Sequence, residues 1–282
     1  MRILIVGGTS SLTKALLPVL LRFAEVLTAG REKCDVYLSL SDPIEKMEIP
    51  RDIDVVINTA ALSGTQGFNG MFETVNINVL GVLKLCEACK QARVKHIVHV
   101  SSIFALLEPS SPYYNAYSLS KKQSEELAAL YCNTNEMPLT IIRPSQFYGV
   151  GECYRKNQPF LFSIMDKAEL DENIFIYGTN DAVRNFIHIE DVANIIALII
   201  QQEVFGIYNC LSNENVSYSE VTKAAIEAFE SKSILKFLRD KPDIPDNGFN
   251  RDDRLFTKLE YTPQISIKDG MKKEATYRKN RR

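Results

Sequence analysis

The chain has 282 residues, 33 Lys and Arg against 35 Asp and Glu, a formal charge of −2, and is 45% hydrophobic and 24% charged. That is the composition of a soluble globular protein with one large or two smaller domains, and its near-neutral balance gives nucleic-acid binding no support. The first apolar run, Ile3 to Val6, is too short to span a bilayer and lacks a signal-peptide layout, so a cytoplasmic protein without membrane contact is expected.

In chain order, short β-branched runs alternate with longer helical patterns. Strands are expected at Ile3 to Val6, Val26 to Thr28, Val36 to Leu40, Val55 to Thr59, His96 to Val100 and Thr140 to Ile142. Helices are expected at Leu12 to Phe23, Val79 to Ala92 and Tyr117 to Tyr131. Such alternation implies an α/β fold, a doubly wound parallel (Rossmann) sheet with ligands beyond the carboxyl ends of its strands. After Gly149 the pattern loosens. A short strand and turn are expected at 173–178, resumed strand and helix patterns at 185–210, and a loop at 240–250. The expected organisation is a dinucleotide-binding domain over 1–150 and a smaller, discontinuous substrate-binding region over 151–183. The chain then returns to the first domain over 184–212, and 213–282 completes the substrate region with a frayed, solvated tail from Lys272 to Arg282.

The six cysteines show no framework or zinc spacing, and no metal site is expected. Cys86 and Cys89 form a CxxC inside a helical pattern, where three residues apart on one face they read as a buried core pair. Gly7-Gly8-Thr9-Ser10-Ser11-Leu12-Thr13 joins the first strand to the first helix, where bare amides can receive a pyrophosphate. Its glycine pattern is incomplete: Ser10 and Thr13 stand where glycines belong. Ser10 calls for a backbone that tolerates a Cβ near the phosphates, and Thr13 for looser helix–sheet packing or a local shift.

Tyr117 and Lys121 are four residues apart, stacked on one face of the expected helix. A cation beside a phenol favours the phenolate and allows proton exchange with a carbonyl or hydroxyl oxygen. For this spacing by itself, a chance pair on a solvated helix is the alternative. Ser101 and Ser102 stand at the end of the strand His96 to Val100, where the crevice of such a sheet lies.

In order, Ile3-Leu-Ile-Val-Gly-Gly-Thr9, Val56-Ile-Asn-Thr-Ala-Ala61, Asn78-Val-Leu-Gly81, Val100-Ser-Ser102, Tyr117-xxx-Lys121, Arg143-Pro144, Tyr148-Gly149, Arg184-Asn-Phe-Ile-His-Ile-Glu-Asp191 and Tyr208-Asn209 resemble the extended short-chain dehydrogenase/reductase family. That family comprises nucleotide-sugar epimerases, dehydratases and reductases, and the resemblance covers nearly the whole chain. It implies that Tyr117 is the catalytic acid/base, with Lys121 lowering its pKa and holding the nicotinamide ribose. Ser102 would hydrogen-bond the reacting oxygen, strand-end capping being its alternative duty, and Asn78 would support the active-site strand or cap the helix at Val79. Gly7, Thr9, Ser10, Ser11, Leu12, Leu40, Thr59, Ala60, Ala61 and Pro144 would line the cofactor with Tyr117 and Lys121.

Arg31, in Gly30-Arg-Glu-Lys33, takes the place of the acid of NAD-using relatives and suits a 2′-phosphate, so NADP is expected, with NAD as alternative through Glu32. Relatives hold adenine with an Asp where this chain has Ser39; Asp42 would cap the next turn. Arg184 and Arg251 would meet a substrate diphosphate, although Arg251 in Arg251-Asp-Asp-Arg254 could be self-paired on a solvated loop. Gln146 and Tyr148 would face the sugar. Dehydratases carry an Asp-Glu pair directly after the residue matching Ser102, and here that pair is Ile103-Phe104. The expected function is NADPH-dependent reduction of a keto group on a nucleotide-linked deoxysugar. The alternatives are an NAD-dependent 4-epimerase and a non-catalytic dinucleotide binder, and a homodimer through the Tyr/Lys helix, with Ala128, Ala129 and Leu130 on it, is a further expectation.

Overall fold

The computed structural model describes residues 1–63 and 66–281. Two compact units share the chain: Met1–Pro144 with Ala193–Cys210 and Thr257–Leu259, and Ser145–Val192 with Leu211–Phe256 and Glu260–Arg282.

The first unit is built on strands β1 (Arg2–Val6), β2 (Glu25–Gly30), β3 (Val36–Tyr37), β4 (Val55–Asn58), β5 (His96–Val100) and β6 (Leu139–Pro144), together with the strand Gly206–Cys210. They form one seven-stranded, wholly parallel sheet in the order β3-β2-β1-β4-β5-β6 and then Gly206–Cys210. Strand order reverses between β1 and β4, which places the switch-point crevice beyond Val6 and Asn58. The doubly wound sheet expected from alternating apolar runs is present. Its strands carry buried side chains on both faces: Ile3 and Ile5 point one way, Leu4 and Val6 the other, all at 1% exposure or less.

Four helices matter for the site: α1 (Ser11–Leu20), α2 (Gly67–Val75), α3 (Gly81–Gln91) and α4 (Ala116–Thr134). Against the face bearing Leu4, Val56 and Ile97 pack Leu85, Cys86 and Cys89 of α3 and Ala128 and Cys132 of α4. Cys86 and Cys89 are core residues; a hydrogen bond with Cys132 and then burial push the Cys86 thiol up, and burial does so for Cys89. Between α2 and α3 the helix continues through a π-helical turn, Asn76–Leu80. Asn78 therefore lies inside an unbroken helical path, and the capping role at Val79 is overturned. Gly81 follows for a packing reason, since a Cβ there would stand 2.7 Å from Leu40 Cβ and 2.8 Å from Leu40 O.

The second unit holds three strand pairs. Gln146–Tyr148 pairs with Phe186–His188 and Ile174–Tyr177 with Leu235–Leu238, both parallel, while Val183–Arg184 pairs antiparallel with Val216–Ser217. Its helices include Pro159–Glu169, Tyr218–Ala228 and Ile267–Lys279. The last corrects the expectation of a frayed tail. Ser266 caps it, buried Glu274 takes the Gly151 amide at 2.7 Å, and Arg278 bonds Glu274, Glu169 and Asp166 at 2.7, 2.7 and 2.9 Å. Charged residues dominate this helix by number, yet Gly270, Met271 and Glu274 make a buried face. Arg282 lies outside the described residues.

Candidate active site

Beyond β1 the chain turns at Gly7, whose φ of +90° and lack of room for a Cβ (Thr59 Oγ1 2.7 Å, Ala60 N 2.8 Å) both require glycine. Ser10 then caps α1, its hydroxyl accepting from Thr13 N at 3.0 Å. The two departures from the glycine pattern prove to be partners. Ser10 Oγ lies 2.9 Å from Thr13 Oγ1 and 3.0 Å from Thr59 Oγ1, Thr13 donates to Gly7 O at 2.9 Å, and Thr59 donates to Val6 O at 3.0 Å. Thr13 is fully buried, so helix and sheet are not loosened here. A knot of three hydroxyls ties the ends of β1 and β4 to the start of α1, where a glycine motif would leave bare backbone.

A cleft of about 250 Å³ opens at this point. It brings together Gly7, Thr9, Ser10, Arg31, Leu40, Thr59, Ala60 and Ala61, all expected from the sequence, and adds Leu38, Ser39, Ser41, Leu62 and Ile77 among others. Ser11, Leu12, Pro144, Tyr117 and Lys121 lie outside its lining, Leu12, Pro144 and Lys121 being buried. Arg31 is exposed at the end of β2. Ser39 is buried, with its hydroxyl 2.8 Å from that of Ser41. Asp42 receives the Tyr37 hydroxyl at 2.9 Å instead of capping a turn with its side chain. Leu38 and Leu40 were expected in β3; they leave the sheet and line the cleft, a placement for which apolar character gives no signal.

At the end of β5, Ser102 caps a 3₁₀ turn, accepting from Phe104 N at 3.2 Å. Tyr117 follows the Asn115 cap of α4. Lys121, one turn on, is buried, donates to Val100 O at 2.9 Å and sits 5.8 Å from the centre of the Tyr117 ring. Burial pushes the Tyr117 phenol up, and the Ser102 hydrogen bond pulls the other way. Burial brings Lys121 itself down to about 8, against the opposing pull of Glu125. Asn78 is buried and fastened to the Leu62 backbone on both sides, accepting at 2.8 Å and donating at 2.9 Å, and it donates to Ser120 of α4 at 2.9 Å.

The sequence model of the NAD dependent epimerase/dehydratase family matches residues 3–210. The chain belongs to this family. The resemblance to extended short-chain dehydrogenases/reductases, and the fold it implied, are thereby confirmed. A dTDP-D-glucose 4,6-dehydratase of Bos taurus is 27% identical over 246 residues, 81% of this chain and 68% of the relative. A trifunctional UDP-glucose 4,6-dehydratase/UDP-4-keto-6-deoxy-D-glucose 3,5-epimerase/UDP-4-keto-L-rhamnose-reductase of Arabidopsis thaliana is 23% identical over 253 residues, 84% of this chain; the match spans only 37% of that protein. Among solved structures, the UDP-N-acetylglucosamine 4-epimerase of Bacillus cereus superposes with a TM-score of 0.81 at 21% identity, covering 98% of each chain, a likeness of fold.

As a member of the epimerase/dehydratase family, the chain has a cleft that fits a dinucleotide. The Gly7 turn leaves no space that a side chain could share, amides at a helix start such as that of α1 can receive a pyrophosphate, and small residues Thr59, Ala60 and Ala61 form one wall. The remaining expected residues belong to the second unit. Arg184 is buried, donating to Val183 O at 2.7 Å and Pro245 O at 2.9 Å, with its guanidinium 4.8 Å from the Tyr218 ring centre. Arg251 is exposed and bonds Asp253 at 2.7 and 2.8 Å. Tyr148 is buried and donates to Ser266 O at 3.2 Å. Gln146 is half-buried, its Oε1 enclosed without a protein hydrogen bond.

Proposed function

We propose that the protein is an NADPH-dependent reductase of a keto group on a nucleotide-linked deoxysugar. The observation that carries this reading is the pairing of Tyr117 with buried Lys121 one helical turn on, its ammonium 5.8 Å from the ring centre, with the Ser102 hydroxyl acting to lower the phenol's pKa. Where eliminating relatives need a carboxylate pair, this chain has Ile103, 1% exposed, and Phe104. Without acid and base at those positions, reduction or epimerisation is favoured over dehydration.

In the proposed reaction Gly7, Thr9, Ser10, Arg31, Leu40, Thr59, Ala60 and Ala61 and the first amides of α1 would hold NADPH, which when bound would supply the hydride. Ser102 polarises the ketone oxygen. Tyr117, a phenol kept protonated by burial, delivers its proton to that oxygen as negative charge develops there, and Lys121 steadies the phenolate left behind. Asn78, tied to Leu62 and Ser120, holds the π turn against α4. The choice of NADPH rests on Arg31, whose planar guanidinium suits a 2′-phosphate. Substrate diphosphate would engage Arg184 and Arg251; exchanging an exposed pair such as Arg251 with Asp253 costs only about 0–1 kcal/mol. Gln146 and Tyr148 are the proposed sugar contacts.

The relatives' names keep 4-epimerisation as a second reading. An epimerase must retain its reduced cofactor while the ketone turns, so NAD carried through purification and dialysis would favour it over the reductase. No affinity for NADPH or NADH would leave neither enzyme standing and point to a non-catalytic role. A panel of keto-sugar nucleotides with NADPH, followed by product identification, tests the reductase directly. Among the described residues no helix is long and apolar enough to cross a membrane. A cytoplasmic location stays an expectation from composition, and a homodimer is supported by the exposure of Leu130 on α4 (67%) and of Phe68, Met71 and Phe72 on α2. Ala128, fully buried, belongs to the core instead. Sedimentation of the purified protein tests the assembly.

A further inference from the structure

Residues 117, 121 and 125 of α4 lie one turn apart on one face, and each meets a successive part of the β5 exit. Lys121 donates to Val100 O, Glu125 accepts a hydrogen bond from Ser101 Oγ, and the Ser102 hydroxyl acts to lower the pKa of the Tyr117 phenol. Glu125 is 3% exposed, and a buried carboxylate needs strong partners. Arg143, on β6, supplies them: its Nε lies 3.0 and 2.9 Å from the two carboxylate oxygens and its Nη2 2.5 Å from one. So fastened, the carboxylate cannot rotate away from Ser101. Lys121 is the other buried charge on that face.

We propose that Glu125 is a positioning residue, holding Ser101 so that Ser102 stays against Tyr117 and serving as counter-charge to Lys121, with Arg143 locking it in place. The proposal rests on the reading of Ser102, Tyr117 and Lys121 as the reacting group. The charged groups around Glu125 are Lys121, Lys122 and Glu126 on α4, Arg143 on β6 and Glu108, and those other than Lys121 line a cavity of about 300 Å³ with it. His99 of β5 bonds Ser124 beside it at 3.2 Å and is held neutral by burial and by Lys121. Glu125 opposes the burial that brings Lys121 down to about 8.

The test uses the full chain without cofactor, so that it does not depend on the reductase reading. In protein carrying ¹³C-labelled lysine, the Lys121 resonance is assigned by its loss in Lys121→Arg and titrated through the alkaline range. Glu125→Gln is expected to move the Lys121 midpoint down by about one pH unit, the scale set by a nearby opposite charge. Glu125→Asp keeps the charge paired to Arg143 while drawing it back, and should give a smaller shift in the same direction; it serves if Glu125→Gln does not fold. With a reducible keto-sugar, the alkaline limb of kcat should shift with the Lys121 midpoint, while KM stays near that of the parent. A Lys121 midpoint unmoved in the folded variants would overturn the proposal, as would a variant whose kcat falls without any change in its pH profile. Absence of turnover in the parent would instead count against the reductase reading alone.

Discussion

Ser10 Oγ and Thr59 Oγ1 stand 3.0 Å apart, joining the cap of the first helix to the end of the fourth strand of the sheet. This contact, with Thr13 closing the triangle, stands where glycines were expected. The incomplete glycine pattern has become a hydrogen-bonded one.

Thr59→Ala removes the hydroxyl that reaches Val6 O, Gly7 O, Ser10 and Thr13. A loss of about 1–3 kcal/mol in unfolding free energy is expected, together with weaker NADPH binding because the Gly7 turn is no longer fixed. Ser10→Gly restores the glycine and should cost only a few tenths of a kcal/mol in capping, against about 1 kcal/mol for Ser10→Ala. Urea titration of the three variants checks the order.

Gly81→Ala forces a Cβ to within 2.8 Å of Leu40 O. The backbone there cannot yield as a flexible side chain would, so destabilisation of about 1–3 kcal/mol is expected. Leu40 lines the cleft, so its displacement should also raise the NADPH dissociation constant. Calorimetric binding beside thermal unfolding separates the two effects.

Histidine burial sets an acid limit to stability. Burial brings His96 and His188 down to about 4 from 6.5, and holds His99 well below its ordinary value. Below pH 6.5 the unfolded chain takes up protons that the folded chain refuses. Stability is therefore full above pH 6.5 and is lost as pH falls toward 4, by about 1–3 kcal/mol per histidine. Carboxylates such as Asp54, held below 3.8 chiefly by its hydrogen bond from Lys95, enter at lower pH. A urea midpoint that stays flat between pH 6.5 and 4 would contradict this.

Arg31→Ala is expected to weaken NADPH binding by about tenfold or more at low salt and to leave NADH nearly unchanged, because the guanidinium is proposed to meet only the 2′-phosphate. The difference should shrink as salt screens the exposed charge. Equal losses for both nucleotides would remove the case for NADP.

Much of this arrangement was legible in the sequence because it follows from local chemistry. His96 to Val100 reads as a strand for its apolar, β-branched content, and Tyr117 and Lys121 share a face through helical spacing alone. The capping alternative for Asn78 fails because a π turn is a shift in hydrogen-bond register, and Asn-Ile-Asn-Val carries no residue that demands it. Glu125 continues the 117, 121 spacing by one turn, yet no local pattern sets it apart from other helix glutamates. Its partner, Arg143, comes from a strand 18 residues away, and only the packing of α4 against the sheet brings them together.

Tyr117→Phe tests the central claim most directly. With NADPH and a nucleotide-linked 4-keto-6-deoxysugar, the parent should consume the nicotinamide absorbance and yield the sugar alcohol. The variant should fold and bind NADPH as the parent does while turnover falls by about 10²–10⁴. Turnover preserved in Tyr117→Phe would show that the proton comes from elsewhere and that the Ser102, Tyr117 and Lys121 group is not the reacting one.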